Sequence, residues 1–177
     1  MSNVDSRCLD AFPDWLRSLA DDATALAAVV LDESQPEGRR RALAGALNYL
    51  FKSLDLIPDG IEDLGYLDDA FVFRVAAAHA ATGEGGTDAL ARLAGDTALL
   101  KEFLAADYAR LEKFVAGLES GSVRGRTVEQ IVTDGAVRSA FASDVKGWTG
   151  SFVCPSFGRD AKNLVKLRSF LTTKLPA

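Results

Sequence analysis

The stretch "LDLIPDGIEDLGYLDDAF", Leu54 to Phe71, decides how this chain folds. Six carboxylates lie in it (Asp55, Asp59, Glu62, Asp63, Asp68 and Asp69), with neither Lys nor Arg among them. Leu56, Ile57, Ile61, Leu64, Tyr66 and Leu67 are interleaved with the acids. Such a segment reads either as helix caps around a tight turn or as a metal or catalytic site. Capping gives most of the acids a local task. Pro58 ends the helix before it, because the residue preceding a proline is biased away from helical backbone. Asp55 stands at that helix end, where its side chain can accept from a backbone N–H. Pro58-Asp59-Gly60 is a turn signal, Asp63 caps a further turn, and Gly65 lets the chain change direction. Asp68 and Asp69 then fall in the first turn of the next helix. Free N–H groups and the helix dipole favour carboxylates there.

Two other uses of the same acids stand beside capping. Like charges next to an apolar core repel, and an unpaired buried carboxylate is expensive. Arg74, Lys52 and, if the helices pack antiparallel, Arg39 to Arg41 are the cations available to offset them. A bound cation would serve equally: Asp59, Asp63, Asp68 and Asp69 are hard oxygen ligands suited to magnesium or calcium. Their spacing does not follow the regular calcium-loop pattern. The third use is a docking surface for a protein partner.

The longer stretch "YLFKSLDLIPDGIEDLGYLDDAFVFRVA", Tyr49 to Ala76, resembles the bacterial YkvA-like domain, a family of unknown function also called DUF1232. Tyr49 and the pentapeptides Asp55-Leu56-Ile57-Pro58-Asp59 and Gly65-Tyr66-Leu67-Asp68-Asp69 carry the resemblance, which covers residues 40–80. Two positions depart from the family pattern, where proline is common: Leu54 follows Ser53, and Glu62 follows Ile61. The missing prolines imply a more regular helical connection. The resemblance implies a helical hairpin and, in some members, proximity to membranes. It implies no reaction and no catalytic residue.

Apolar periodicity extends helices to either side. Residues 9–31 read as one helix with Leu9, Phe12, Leu16, Leu19 and Leu26 on a face, its regular part starting near Phe12 because Pro13 suits a first turn. Asp21 and Asp22 face solvent or cap a break. "DESQPEGRR" is a loop, and a second helix runs from Glu37 to Leu54. Arg39, Arg40 and Arg41 open it, at the end where the dipole disfavours cations. A third helix spans 65–81, with Leu67, Phe71, Val75 and Ala78 on one face and Val72 and Phe73 broadening it. Further helices cover Asp88–Ala94, Thr97–Leu118 (capped by Asp96 or Thr97), Thr127–Phe141 and Lys162–Leu171. "GWTGSFVCPSFG", 147–158, reads as a short hairpin or an irregular loop.

The expected fold is therefore all-α, a compact bundle of about five to seven helices. One helical domain over 1–177 is expected, with a helix-turn-helix core at 40–80 and a C-terminal extension from about residue 121. Glycine-rich joints at 83–86 and 121–125 are where such an extension would separate.

A net charge of -5 argues against a nucleic-acid binder. From Lys146 to Lys174 there are six basic residues and one acid, Asp160. Trp148, Phe152 and Phe157 stand beside this basic helix, so residues 147–170 are a candidate for peripheral membrane contact or simply a loop over the core. Cys8 and Cys154 are too far apart in sequence for a metal-ligand pair. Neither a secretory signal nor an apolar run of about 18 residues is present, which sets the cytoplasm as the expected compartment. His79 is the single histidine, nearly three helical turns beyond Asp69. No nucleophile elbow, P-loop or zinc-protease motif occurs. Three functions remain open. The first is a non-enzymatic interaction or structural module with no cofactor, bound to a protein partner. The second is a divalent-metal enzyme using Asp59, Asp68 and Asp69, and the third is a membrane-associated module.

Overall fold

A computed structural model describes residues 1–177 apart from Leu54, Asp59, Glu62 and Asp63. Among the described residues the chain forms ten α-helices, more than the five to seven expected. They are α1 (Asn3–Arg17), α2 (Leu19–Leu31), α3 (Glu37–Tyr49), α4 (Leu67–Ala80), α5 (Asp88–Gly95), α6 (Thr97–Leu104), α7 (Asp107–Gly117), α8 (Val128–Thr133), α9 (Gly135–Ser151) and α10 (Ala161–Lys174). The excess arises because three expected helices are each broken in two. Residues 9–31 divide at Ser18, whose hydroxyl donates to Asp22 at 2.8 Å and lies 3.4 Å from the Trp15 carbonyl. A hydroxyl that bonds local groups competes with the helical ladder in this way. Residues 97–118 divide at Ala105, which has φ 50. The helix expected over 127–141 divides at Asp134, whose carboxylate accepts from the N–H groups of Ala136 and Val137 and starts α9.

Pro13 lies inside α1 rather than in its first turn, because the helix begins earlier, at Asn3, with Ser2 and Asp5 forming a capping box. Helix α9 continues to Ser151, so the expected irregular region near 147–158 is helical in its first part and carries no strand. Among the described residues a hairpin forms elsewhere: β1 (Ser122–Val123) pairs antiparallel with β2 (Arg126–Thr127). Arg124 (φ 51) and Gly125 (φ 75) form its two-residue turn, the positive-φ pair that matches strand twist.

Helix α4 is the centre. From Leu67 to Ala77 every residue is buried, which is how a helix apolar on most sides must sit. Around it pack α1, α2, α3, α5, α6 and α7. Phe12 of α1 meets Phe71 of α4 and Phe103 of α6, each at 5.1 Å between ring centroids, and Trp15 meets Phe71 edge-on at 6.0 Å. On the outside, α8 packs on α3, α9 on α2 and α10 on α1. A 3-10 turn, Leu118–Ser120, crosses α3 at Gly45, where an added Cβ would stand 3.0 Å from the Leu118 carbonyl carbon. Only a residue without a side chain permits that approach.

Among the described residues, no helix is long and apolar enough to cross a membrane.

Candidate functional site

The acidic stretch joins α3 to α4, the two helices that share the largest contact of the fold. Its described residues form a succession of turns rather than the regular helical link that the missing prolines implied. The Pro58 carbonyl accepts from the Ile61 N–H at 3.0 Å, which closes the turn expected around Pro-Asp-Gly. The Ile61 carbonyl then accepts from Gly65 at 2.9 Å. Tyr66 precedes α4 in left-handed backbone, φ 68, a conformation uncommon for a residue with a bulky side chain. Its ring is covered from outside the motif: Phe152 lies edge-on at 5.2 Å and Trp148 at 6.0 Å, and these two stack on each other at 4.9 Å.

Tyr49 and Asp68 are the junction of the two pentapeptides. Tyr49, the last residue of α3, is fully buried, and its phenol donates to Asp68 Oδ2 at 2.6 Å. The same phenol oxygen accepts from the Leu56 N–H at 2.8 Å. Asp68 Oδ2 also accepts from the Ile57 N–H at 3.2 Å. Two adjacent backbone donors of the first pentapeptide are thus received by one tyrosine and by one carboxylate of the second. Burial, and next the charge of Asp68, push the Tyr49 phenol far above its ordinary range and keep it a proton donor. Asp68 and Asp69 occupy the first turn of α4, 0% and 2% exposed, where the sequence places them and where the dipole favours them. Asp55 is half-buried and Pro58 is exposed at the turn.

The cations expected to offset these acids have further partners among the described residues. Arg74, fully buried, donates from Nε to Asp96 at 3.0 Å and from Nη1 to the Ala70 carbonyl at 3.1 Å. Asp22 lies 4.0 Å from its Nη2, and the guanidinium stands 4.0 Å over the Trp15 ring. Burial lowers Arg74 to about 10 while Asp96 and Asp22 oppose the shift, so it is cationic at neutral pH. Asp22 is also paired with Arg92. Asp22 therefore neither faces solvent nor serves as a mere cap, and Asp96 caps α6 without its side chain.

Arg39 and Arg40 are buried as well. Arg39 donates to the carbonyl of Ala80, the last residue of α4, at 2.8 Å, and to those of Gly85 at 3.0 Å and Glu84 at 3.2 Å just beyond it. Arg40 donates to the Val30 carbonyl near the end of α2 at 2.8 Å. The basic opening of α3, unfavourable for its own dipole, thus serves the C-terminal ends of two neighbours, where cations are favoured. Arg41 pairs with Glu37 and Glu129. Lys52 lies over the Phe114 ring at 5.2 Å and the Tyr49 ring at 5.8 Å.

Among the described residues, no group of three or more His, Cys, Asp or Glu is placed to hold a metal ion. Of the four candidate ligands, Asp59 and Asp63 lie outside the described residues, and Asp68 is bonded as above. His79 is half-buried, away from the Tyr49–Asp68 junction.

No curated protein and no solved structure matches the chain. The segment that runs from the Arg39 clamp through the Tyr49–Asp68 junction to Arg74, residues 39–74, matches the model of DUF1232, a protein family of unknown function.

Proposed function

We propose that this all-α protein acts as a non-enzymatic interaction or structural module, in which the DUF1232 motif builds a rigid hairpin rather than an active site. The observation that supports this reading is the state of Asp68. Its carboxylate is 0% exposed and is bonded to the Tyr49 phenol and the Ile57 N–H. A group that binds substrate or metal has to present lone pairs to an approachable space, and Asp68 turns its oxygen toward the fold. Calorimetric titration with magnesium, calcium and manganese tests the reading. The native chain and the Asp68→Asn/Asp69→Asn variant are compared. The expected result is no saturable heat from either protein and a lower melting temperature for the variant. Saturable binding to the native chain that the variant loses would instead establish the metal-dependent alternative.

A membrane contact through residues 147–170 is favoured by one observation. Val153 and Val165 are exposed, and Lys162 and Lys166 make no ion pair among the described residues. Its aromatic component is engaged within the chain, since Trp148 and Phe152 cover Tyr66 and Phe157 meets Phe12 at 6.3 Å. Sedimentation with anionic vesicles tests it; absence of salt-sensitive association removes it.

A further inference from the structure

We propose that the trough between α2 and α9 binds the alkyl chain of an anionic amphiphile, with Lys146 as the partner of its head group. The trough lies apart from the motif, so this proposal and the module reading stand or fall separately.

The trough is a cavity of about 520 Å³, within the range of about 300–1,000 Å³ usual for small-molecule sites. Glu33, just past α2, pairs with Arg138 in the first turns of α9, so the two helices that flank the trough run antiparallel. Its lining extends from Thr24 to Leu31 on α2 and from Ala142 to Thr149 on α9. Two turns of helix at 1.5 Å per residue make it about 10 Å long. That length suits a medium-length alkyl chain lying along the helices.

The chemistry of the lining is selective. Ala27 and Val145 are buried and form the floor, while Ala28 and Ala142 are too small to fill the space above them. Leu31, one of the large apolar residues left exposed, stands at one end. Both threonines turn their hydroxyls to the backbone, Thr24 to the Ala20 carbonyl and Thr149 to the Lys146 carbonyl, each at 3.0 Å. Their methyl groups are what remains for a ligand. Lys146 is the one charged residue of the lining, and it makes no ion pair among the described residues. An apolar trough with a single unpaired cation beside it is complementary to an apolar chain ending in an anion. A neutral or cationic amphiphile leaves that lysine unmatched.

Two sources share this chemistry, a free fatty acid and an anionic lysolipid. Decanoate and a short-chain lysophosphatidylglycerol, each below its micellar concentration, are titrated by calorimetry. Trp148, two residues beyond Lys146, serves as a fluorescent reporter. Ala28→Phe fills the trough and Lys146→Glu reverses its charge. Both positions are exposed, and retained helicity and melting temperature verify the fold. The expected result is saturable one-to-one binding of at least one probe, weakened at least about tenfold by each variant. Decyltrimethylammonium is expected to bind more weakly than decanoate to the native chain and to gain on Lys146→Glu. Which anionic probe binds identifies the source. Absence of saturable binding by both, binding that ignores both variants, or capture of an acidic amphipathic peptide in their place overturns the proposal.

Discussion

Replacing Tyr49 by Phe removes one oxygen atom and two hydrogen bonds. The bond to Asp68 is charge-assisted and buried on both sides, of a kind that contributes about 1.5–3 kcal/mol. The second loss leaves the buried Leu56 N–H without its acceptor, at about 1–3 kcal/mol. The ring itself is retained, so packing against Phe114 at 5.9 Å is kept and no cavity larger than a hydroxyl forms. Allowing for relaxation of the turn, Tyr49→Phe is expected to destabilise the chain by about 3 kcal/mol. Urea denaturation should show the loss as a lower midpoint at unchanged slope, and heating as a melting point lower by roughly 6–12 °C. A cycle with Asp68→Asn isolates the pair, and a coupling of about 1.5 kcal/mol or more is expected. A loss under about 0.5 kcal/mol, or additive effects in the cycle, would falsify the claim that this bond ties the end of α3 to the start of α4.

Because the Tyr49 phenol is raised in the folded chain, the unfolded chain releases its proton first, near pH 10. The advantage of the native chain over Tyr49→Phe is therefore full below about pH 10 and should shrink above it, by up to about 1.4 kcal/mol per pH unit, in urea midpoints taken from pH 8 to 11. Arg74→Met strands the carboxylate of Asp22, 1% exposed, with Arg92 as its remaining cation; a loss of about 3–5 kcal/mol is expected, and a loss near zero would show that the buried pair contributes nothing. Gly45→Ala should destabilise by about 1–2 kcal/mol, since the clash with the Leu118 backbone outweighs the roughly 1 kcal/mol that alanine gains in a helix; a more stable variant contradicts the close approach. Cys154 is exposed, whereas Cys8 is buried with its thiol pushed up to about 12, so alkylation of the native chain should label one thiol, and the second should react only after unfolding.

The motif was legible because its chemistry is local. Pro58 and the first-turn acids Asp68 and Asp69 act on backbone groups within a few residues, and spacing alone places them. Arg39 and Arg40 stand at the end of α3 where its own dipole disfavours cations, and what offsets this lies outside that helix. Their acceptors, the Ala80 and Val30 carbonyls, belong to other helices, and no periodicity announces such a match. Arg74 is one of the cations available to the acids near it in sequence, but spacing does not announce Asp96 and Asp22, which the packing of α5, α6 and α2 around α4 brings to it. The break at Ala105 carries no glycine or proline to signal it, so spacing alone reads one helix through an alanine whose φ is positive. The covering of Tyr66 by Trp148 and Phe152 joins residues about eighty positions apart, beyond the reach of any local pattern.

The hairpin of α3 and α4 is fastened at both ends, by Tyr49 to Asp68 at the turn and by Arg39 to Ala80 at the open end. Fraying from one end meets the fastening at the other, so neither helix can peel away by itself. Amide hydrogens of α3 and α4 should then exchange with solvent together and last, through the opening of the whole chain rather than a part of it. α10 lies on the outside of the bundle against α1, with Arg168 on the Phe103 carbonyl of α6 and Thr172 on Asp107 of α7, and should exchange earlier. On this account the DUF1232 segment is the slowest clock in the molecule, and the chain around it keeps faster time.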